Sequence, residues 1–171
     1  GRVGKLAIET SKILALVFTD LVDSTGLKTM HGDIAGGNLI ARHREQVTSI
    51  AAETSGRVID WAGDGCFLTF ETSSAAVLFG LRLQKTHAEQ PDLPSVRVGI
   101  HMGEISEKLG ADGTAPRIEG LAVDLAARIQ SLAGPGQSLI SAAVYSSAKQ
   151  RMGKRFLGST NRLATARTLQ H

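Results

Sequence analysis

Two aspartates stand where the direction of the chain is set to change. Asp20 follows an apolar run, residues 13–18, and precedes Leu21-Val22-Asp23-Ser24-Thr25, while Asp64 sits between two glycines in Gly63-Asp64-Gly65. Carboxylates are hard oxygen ligands suited to Mg²⁺ or Mn²⁺, which keep waters and take further ligands from substrate phosphates. Two of them meeting at a sheet edge repel unless something cationic lies between. The glycines flanking Asp64 permit a tight turn and close approach by a ligand. The backbone amides of Val22, Asp23, Ser24 and Thr25, at a helix start, point at an anion site. Metal plus phosphate is the chemistry such a set can do. Each part also has a plainer reading: Asp-Gly is a common hairpin turn, and Asp before Ser-Thr a cap or a surface charge. The sharper reading requires a fold that brings Asp20 and Asp64 together.

The pattern of the chain supplies such a fold. Residues 13–18 form a continuous apolar run of strand length, read as buried on both faces. Ser24 or Thr25 caps a helical stretch to about Thr54, with Ile34, Leu39, Ile40, Val47 and Ile50 as its apolar positions. Residues 57–61 and 66–70 flank the Gly-Asp-Gly tip as a hairpin. A helix from Thr72 or Ser73 to about His87 follows, facing inward with Val77, Leu78, Phe79 and Leu81, and Pro91 and Pro94 close it. Residues 96–102 read as a strand and 108–119 as a Gly/Ala-rich loop. Leu121, Leu125, Ile129 and Leu132 make an apolar helical stripe ending at Gly134-Pro135-Gly136. A short strand at Leu139-Ile140 and a helix from 142 to 152 complete the pattern. The order is βαββαβ with additions. This is the ferredoxin-like α+β arrangement, an antiparallel sheet with helices on one face.

Residues 1–12 are expected to be a leader, 13–152 the domain, and 153–171 a basic tail, truncated or disordered. At 171 residues and 42% apolar content there is material for one domain with a real core. A single Cys excludes a disulfide framework and any multi-cysteine metal site. The longest apolar run is too short to cross a bilayer and no signal peptide is visible. A soluble cytoplasmic domain is the expectation. The first 124 residues hold all 16 acidic side chains against 12 Lys and Arg, and the remainder holds seven basic residues and no acid. That basic segment is scattered among small residues with little aromatic content, poor material for stacking bases, so nucleic acid is not an expected partner. Cys66 and His101 read as packed strand residues, Trp61 as a packing residue, and Asp23 as local capping.

Four ordered segments then carry a resemblance. Phe18-Thr19-Asp20-Leu21-Val22-Asp23-Ser24-Thr25, Gly63-Asp64-Gly65-Cys66-Phe67, Val98-Gly99-Ile100-His101-Met102-Gly103-Glu104 and Gly120-Leu121-Ala122-Val123-Asp124-Leu125-Ala126-Ala127-Arg128 resemble the class III nucleotidyl cyclase catalytic domain. The resemblance implies formation of a cyclic nucleotide from a purine nucleoside triphosphate, with ATP favoured, at sites between the subunits of a homodimer. It implies that Asp20, Asp64 and the Leu21 carbonyl hold two Mg²⁺ or Mn²⁺ ions. One would lower the pKa of the ribose 3′-hydroxyl, and both would stabilise charge at the α-phosphate. The amides of 22–25 would hold the β- and γ-phosphates, and Arg128 of the partner chain would meet phosphate charge in the transition state.

The chain departs from the family pattern in four places. The purine-reading pair is changed in sign, with Asp60 where adenylate cyclases place a Lys and Arg117 where they place an Asp. Asp60 and Arg117 still form a donor–acceptor set for a purine edge, or a plain ion pair with each other. The family's transition-state Asn is Asp124, which stands one helical turn before Arg128, at ion-pair spacing. The phosphate-binding Lys expected after Leu157-Gly158 is missing, with Arg162 the nearest substitute. These departures leave a second reading open, a degenerate cyclase-homology module that binds nucleotide or dimerises without turnover.

Overall fold

The computed structural model describes residues 8–109, 116–153 and 163–165. Strands β1 (Ile8–Leu21), β2 (Arg57–Ala62), β3 (Gly65–Phe70), β4 (Val96–Leu109), β5 (Arg117–Glu119), β6 (Ser138–Ile140) and β7 (Leu163–Thr165) form one sheet in the order β2-β3-β1-β4-β6-β7, with β5 on β4. Helices α1 (Ser24–His31), α2 (Asp33–Glu53), α3 (Ser73–Ala88), α4 (Leu121–Leu132) and α5 (Ala142–Met152) complete it. The first four strands lie in the order the ferredoxin-like reading requires, with β1 antiparallel to both β3 and β4. The α+β class stands. β6 and β7 extend the sheet in parallel.

Alternation along β1 divides the core in two. Ala15, Val17 and Leu21 join α2, α3 and α5 in the larger cluster, with Val47, Phe70, Phe79 and Leu83. Leu14 and Leu16 face the other way, with Phe67, Ile105, Ala122 and Ala126. Helices therefore cover both faces, not one, and α4 alone covers the second.

Several boundaries differ from expectation. β1 begins at Ile8, inside the stretch read as a leader, and pairs with β4 along all 14 residues, so β4 runs to Leu109. The polar run Glu9-Thr10-Ser11-Lys12 hid this arm. The supposed 108–119 loop contributes its last three residues as β5. The long helix to Thr54 is two helices, broken at Gly32 with φ 85°. The cap of α1 is Asp23, in left-handed backbone and without a side-chain cap bond. On α4 the buried stripe is Ala122, Ala126 and Ile129, whereas Leu121 is 73% and Leu132 55% exposed. Small residues win because the helix lies too close to the strand for leucines: a Cβ on Gly103 would stand 2.7 Å from the Ala122 Cβ. Ile34 is likewise 84% exposed. Within the tail, β7 pairs with β6, while Leu157-Gly158 and Arg162 lie outside the described residues. Among the described residues no helix is long and apolar enough to cross a membrane.

Candidate active site

The site is assembled at one end of the β1–β3 ladder. Phe18 pairs with Phe67 and Thr19 with Cys66, so the turn between β2 and β3 places Asp64 beside the end of β1. Gly65 lets this turn close, since a Cβ there would meet the Ala62 and Thr19 carbonyl oxygens at 3.2 and 3.3 Å. Asp20, Asp60 and Asp64 line one cavity of about 310 Å³, together with Phe18, Phe67 and Gln130. The two phenyl rings stack, 4.6 Å between centroids and 6° between planes. The fold thus brings Asp20 and Asp64 together, as their chemistry requires.

The two carboxylates have different partners. Asp64 Oδ2 is buried and accepts no hydrogen bond. Asp20 is gripped by Arg97, its register partner on β4, through Nε to Oδ1 at 2.9 Å and Nη2 to Oδ2 at 2.8 Å. This bidentate fork, with Asp64 and Asp23 also near, holds Arg97 firmly charged. Arg97 escaped the sequence reading. Its one available signal was its place one residue before Val98-Gly99-Ile100-His101, a position meaningful only once β4 lies beside β1. Among the described residues no three His, Cys, Asp or Glu side chains gather as a metal cluster. Two aspartates, one with an orphaned buried oxygen, still fit a hard cation that takes its remaining ligands from water and phosphate.

The other expected site residues are placed as follows. Leu21 ends β1 with its side chain buried. The Val22 amide donates to the Ser95 carbonyl at 2.9 Å, which removes it from the phosphate-binding set. Asp23, Ser24 and Thr25 remain at the start of α1, where a helix leaves its first amides unpaired. Asp60 and Arg117 do not meet. Asp60 lies level with Phe67 and Phe18 and accepts from the Trp61 amide, whereas Arg117 lies level with Lys108 and Glu9 and pairs with Glu119 at 3.2 Å. Nine positions along β1 separate those levels, a rise of up to about 30 Å. The ion pair between them is overturned, and a purine-edge set drawn from both within one chain with it. Asp124 and Arg128 are both exposed on α4, and among the described residues no ion pair joins them, which corrects the expected i, i+4 contact.

The plainer readings hold. Cys66 is buried, and burial pushes its thiol up to about 12. Trp61 packs against the larger core, with the Arg44 guanidinium 4.5 Å from its ring centroid. His101 is half-buried on β4, and burial lowers its pKa.

Comparison with known proteins decides the family. The family described as "Adenylate and Guanylate cyclase catalytic domain" matches residues 6–161. The chain belongs to this family. An adenylate cyclase of Glutamicibacter nicotianae is 30% identical to this cyclase domain over 128 residues, 75% of this chain and 30% of that protein. One from Streptomyces coelicolor is 28% identical over 130 residues, 76% of this chain and 32% of that protein. The domain thus spans about a third of the length of these curated relatives. Among solved structures, the adenylyl cyclase CyaB from P. aeruginosa superposes with TM-score 0.74 at 26% identity, over 84% of this chain and 83% of that one. The guanylyl cyclase Cya2 shares the fold, with TM-score 0.74 at 20% identity over 81% and 79%.

Proposed function

We propose that this domain converts a purine nucleoside triphosphate, ATP in preference to GTP, into its 3′,5′-cyclic nucleotide and pyrophosphate, at sites shared between two copies of the chain. One observation carries the reading: Asp20 and Asp64 line a single cavity, and a buried Asp64 oxygen has no partner. The preference for ATP rests on the adenylate cyclases among its relatives.

In this reading Asp20, Asp64 and the Leu21 carbonyl hold two Mg²⁺ or Mn²⁺ ions. Bound there, such ions acidify the ribose 3′-hydroxyl and stabilise charge at the α-phosphate. The 3′-hydroxyl gives its proton to water and its oxygen bonds to the α-phosphorus as the bond from that phosphorus to the bridging α–β oxygen breaks, and pyrophosphate leaves. The chain's own groups position and neutralise. Arg97 aims Asp20 by a two-point grip. The first amides of α1, at Asp23, Ser24 and Thr25, receive phosphate oxygens. Arg128, exposed on α4, reaches the site of the partner copy and meets charge that develops in the transition state. Asp60 faces the cavity and accepts from a purine N–H.

Exposed apolar residues supply a surface for a second copy. Ile8 and Leu109 are register partners at the tip of the β1–β4 arm, and Leu121 stands exposed at the head of α4. The alternative, a module that binds nucleotide without turnover, is favoured by the Asp20–Arg97 grip, which occupies a metal ligand.

The test is incubation with ATP or GTP and Mn²⁺, with cyclic product as readout. Asp20→Ala and Arg128→Ala should each abolish product. Mixed together they should recover about a quarter of the wild-type rate, because half the dimers are mixed and each carries one intact site. Metal-dependent nucleotide binding without product in the wild type would establish the module instead, and no recovery on mixing would refute the shared site.

A further inference from the structure

The unpartnered buried polar atoms of this protein are unevenly placed. Among the described residues Asp64 Oδ2 and Gln130 Nε2 are buried without a hydrogen bond, and both residues line the cavity that also holds Asp20 and Asp60. Buried polar atoms are normally satisfied, so two orphans on residues around one cavity mark a place where a ligand completes the bonding. The Asp64 oxygen belongs to the cation reading. Gln130 does not, since its orphan is an amide donor, and a donor repels a cation.

Gln130 is brought there by a feature of the sheet. A Cβ on Gly99 would lie 2.3 Å from the Gln130 backbone nitrogen and 2.5 Å from its Cα. Only glycine at 99 lets the last turns of α4 lie flat on β4, and that close approach lowers Gln130 onto the cavity. The glycine of Val98-Gly99-Ile100-His101 thus serves the position of one side chain on another element.

The walls tell what the amide meets. Three aspartates, Asp20, Asp60 and Asp64, make the cavity acidic, so an uncharged donor such as Gln130 cannot by itself hold a phosphate there. The stacked Phe18 and Phe67 give an apolar wall, suited to a flat heterocycle. Asp60 accepts and Gln130 donates. A purine edge offers the complement, an N–H donor beside a ring-nitrogen or carbonyl acceptor.

We infer that Gln130 reads the purine base, donating its side-chain amide to a ring nitrogen or carbonyl oxygen of the nucleotide. The inference rests on the purine-nucleotide reading of the site. It supplies the donor that Arg117, held far along the sheet, does not bring to Asp60.

The experiment is calorimetric binding of 3′-deoxy-ATP, 3′-deoxy-GTP and inorganic tripolyphosphate to the full chain with Mn²⁺, for wild type, Gln130→Leu and Gln130→Glu. The 3′-deoxy nucleotides lack the attacking hydroxyl and are not turned over. Gln130→Leu should weaken the preferred 3′-deoxy nucleotide by about tenfold, the worth of one buried hydrogen bond. Gln130→Glu, which sets acceptor against acceptor while keeping the shape, should weaken it at least as much. Tripolyphosphate affinity should stay unchanged in Gln130→Leu, with thermal melting as the check on folding of both variants. An equal loss for tripolyphosphate in Gln130→Leu, or unchanged nucleotide binding by folded variants, would overturn the inference while leaving the cyclase reading intact. A wild-type chain that binds neither nucleotide would bring down both.

Discussion

Mild acid should loosen this fold, chiefly through one side chain, His43. It lies on α2 with no exposed surface, and its Nδ1 is 2.9 Å from Nε2 of His87 on α3, whose own Nδ1 lies 3.0 Å from the Pro94 carbonyl. Burial, reinforced by the charges of His87 and Arg44 and only partly offset by the Asp64 backbone, lowers the His43 pKa from 6.5 to about 4. The depressed value means the folded state binds its proton later than the unfolded chain. Above pH 6.5 neither state is protonated and the stability is whole. Between 6.5 and about 4 the unfolded chain holds a proton that the folded one refuses, and stability falls by about 1.4 kcal/mol per pH unit. The full loss is about 3 kcal/mol, a large share of the 5–15 kcal/mol typical of a domain. His87, lowered in the same direction by burial, adds to the slope. The carboxylates held low by cationic partners, Glu107 beside Lys12 and Arg57 and Glu119 beside Lys108, begin to cost stability only as the pH falls through their ordinary value of 4.5, below the range of the test. Urea unfolding at pH 6.5, 5.75 and 5.0 measures the slope. His43→Gln keeps an amide that can hydrogen-bond and cannot titrate, so its slope should be shallower by about 1.4 kcal/mol per pH unit. A variant with the wild-type slope, or a wild type indifferent to pH in this range, would refute the argument.

Other outcomes follow from single contacts. Gly99→Ala forces α4 off the sheet by about 1 Å against backbone atoms, an overpacking cost of about 1–3 kcal/mol. A melting temperature lower by about 2–12 °C, together with lost cyclase activity, is expected in a thermal melt and a product assay. Asp64→Asn should weaken Mn²⁺ binding at least tenfold by electron paramagnetic resonance, without nucleotide present; unchanged affinity would remove Asp64 from the metal set. Cys66, with its thiol near 12, should resist alkylation at pH 8 in the native state and react fully in denaturant, as mass spectrometry would show.

Much of the site was legible because its signals are local. Asp20 at the end of an apolar run and Asp64 between glycines each mark a change of chain direction, and the βαββαβ order fixes which strand ends are neighbours. What was missed lay across the sheet. Arg97 looks like any charge at a strand start until β4 pairs with β1 and sets it opposite Asp20. Gln130 looks like a surface residue of α4 until Gly99 admits that helix to the strand. The stripe of leucines predicted for α4 failed for the same reason, since a helix in such contact buries alanines and leaves Leu121 and Leu132 outside.

The amino-acid order alone determined the α+β class, the neighbouring strand ends and the acidic pair, because periodicity and turn chemistry act over a few residues and topology then has few choices. Only the tertiary structure decided what each charge touches: that Arg97 grips Asp20, that Arg117 stands far from Asp60, and that the Val22 amide is spent on Ser95. Charge and hydrogen-bond partners depend on distances of a few ångströms between segments remote in sequence, and those distances exist only after the helices have packed on the sheet.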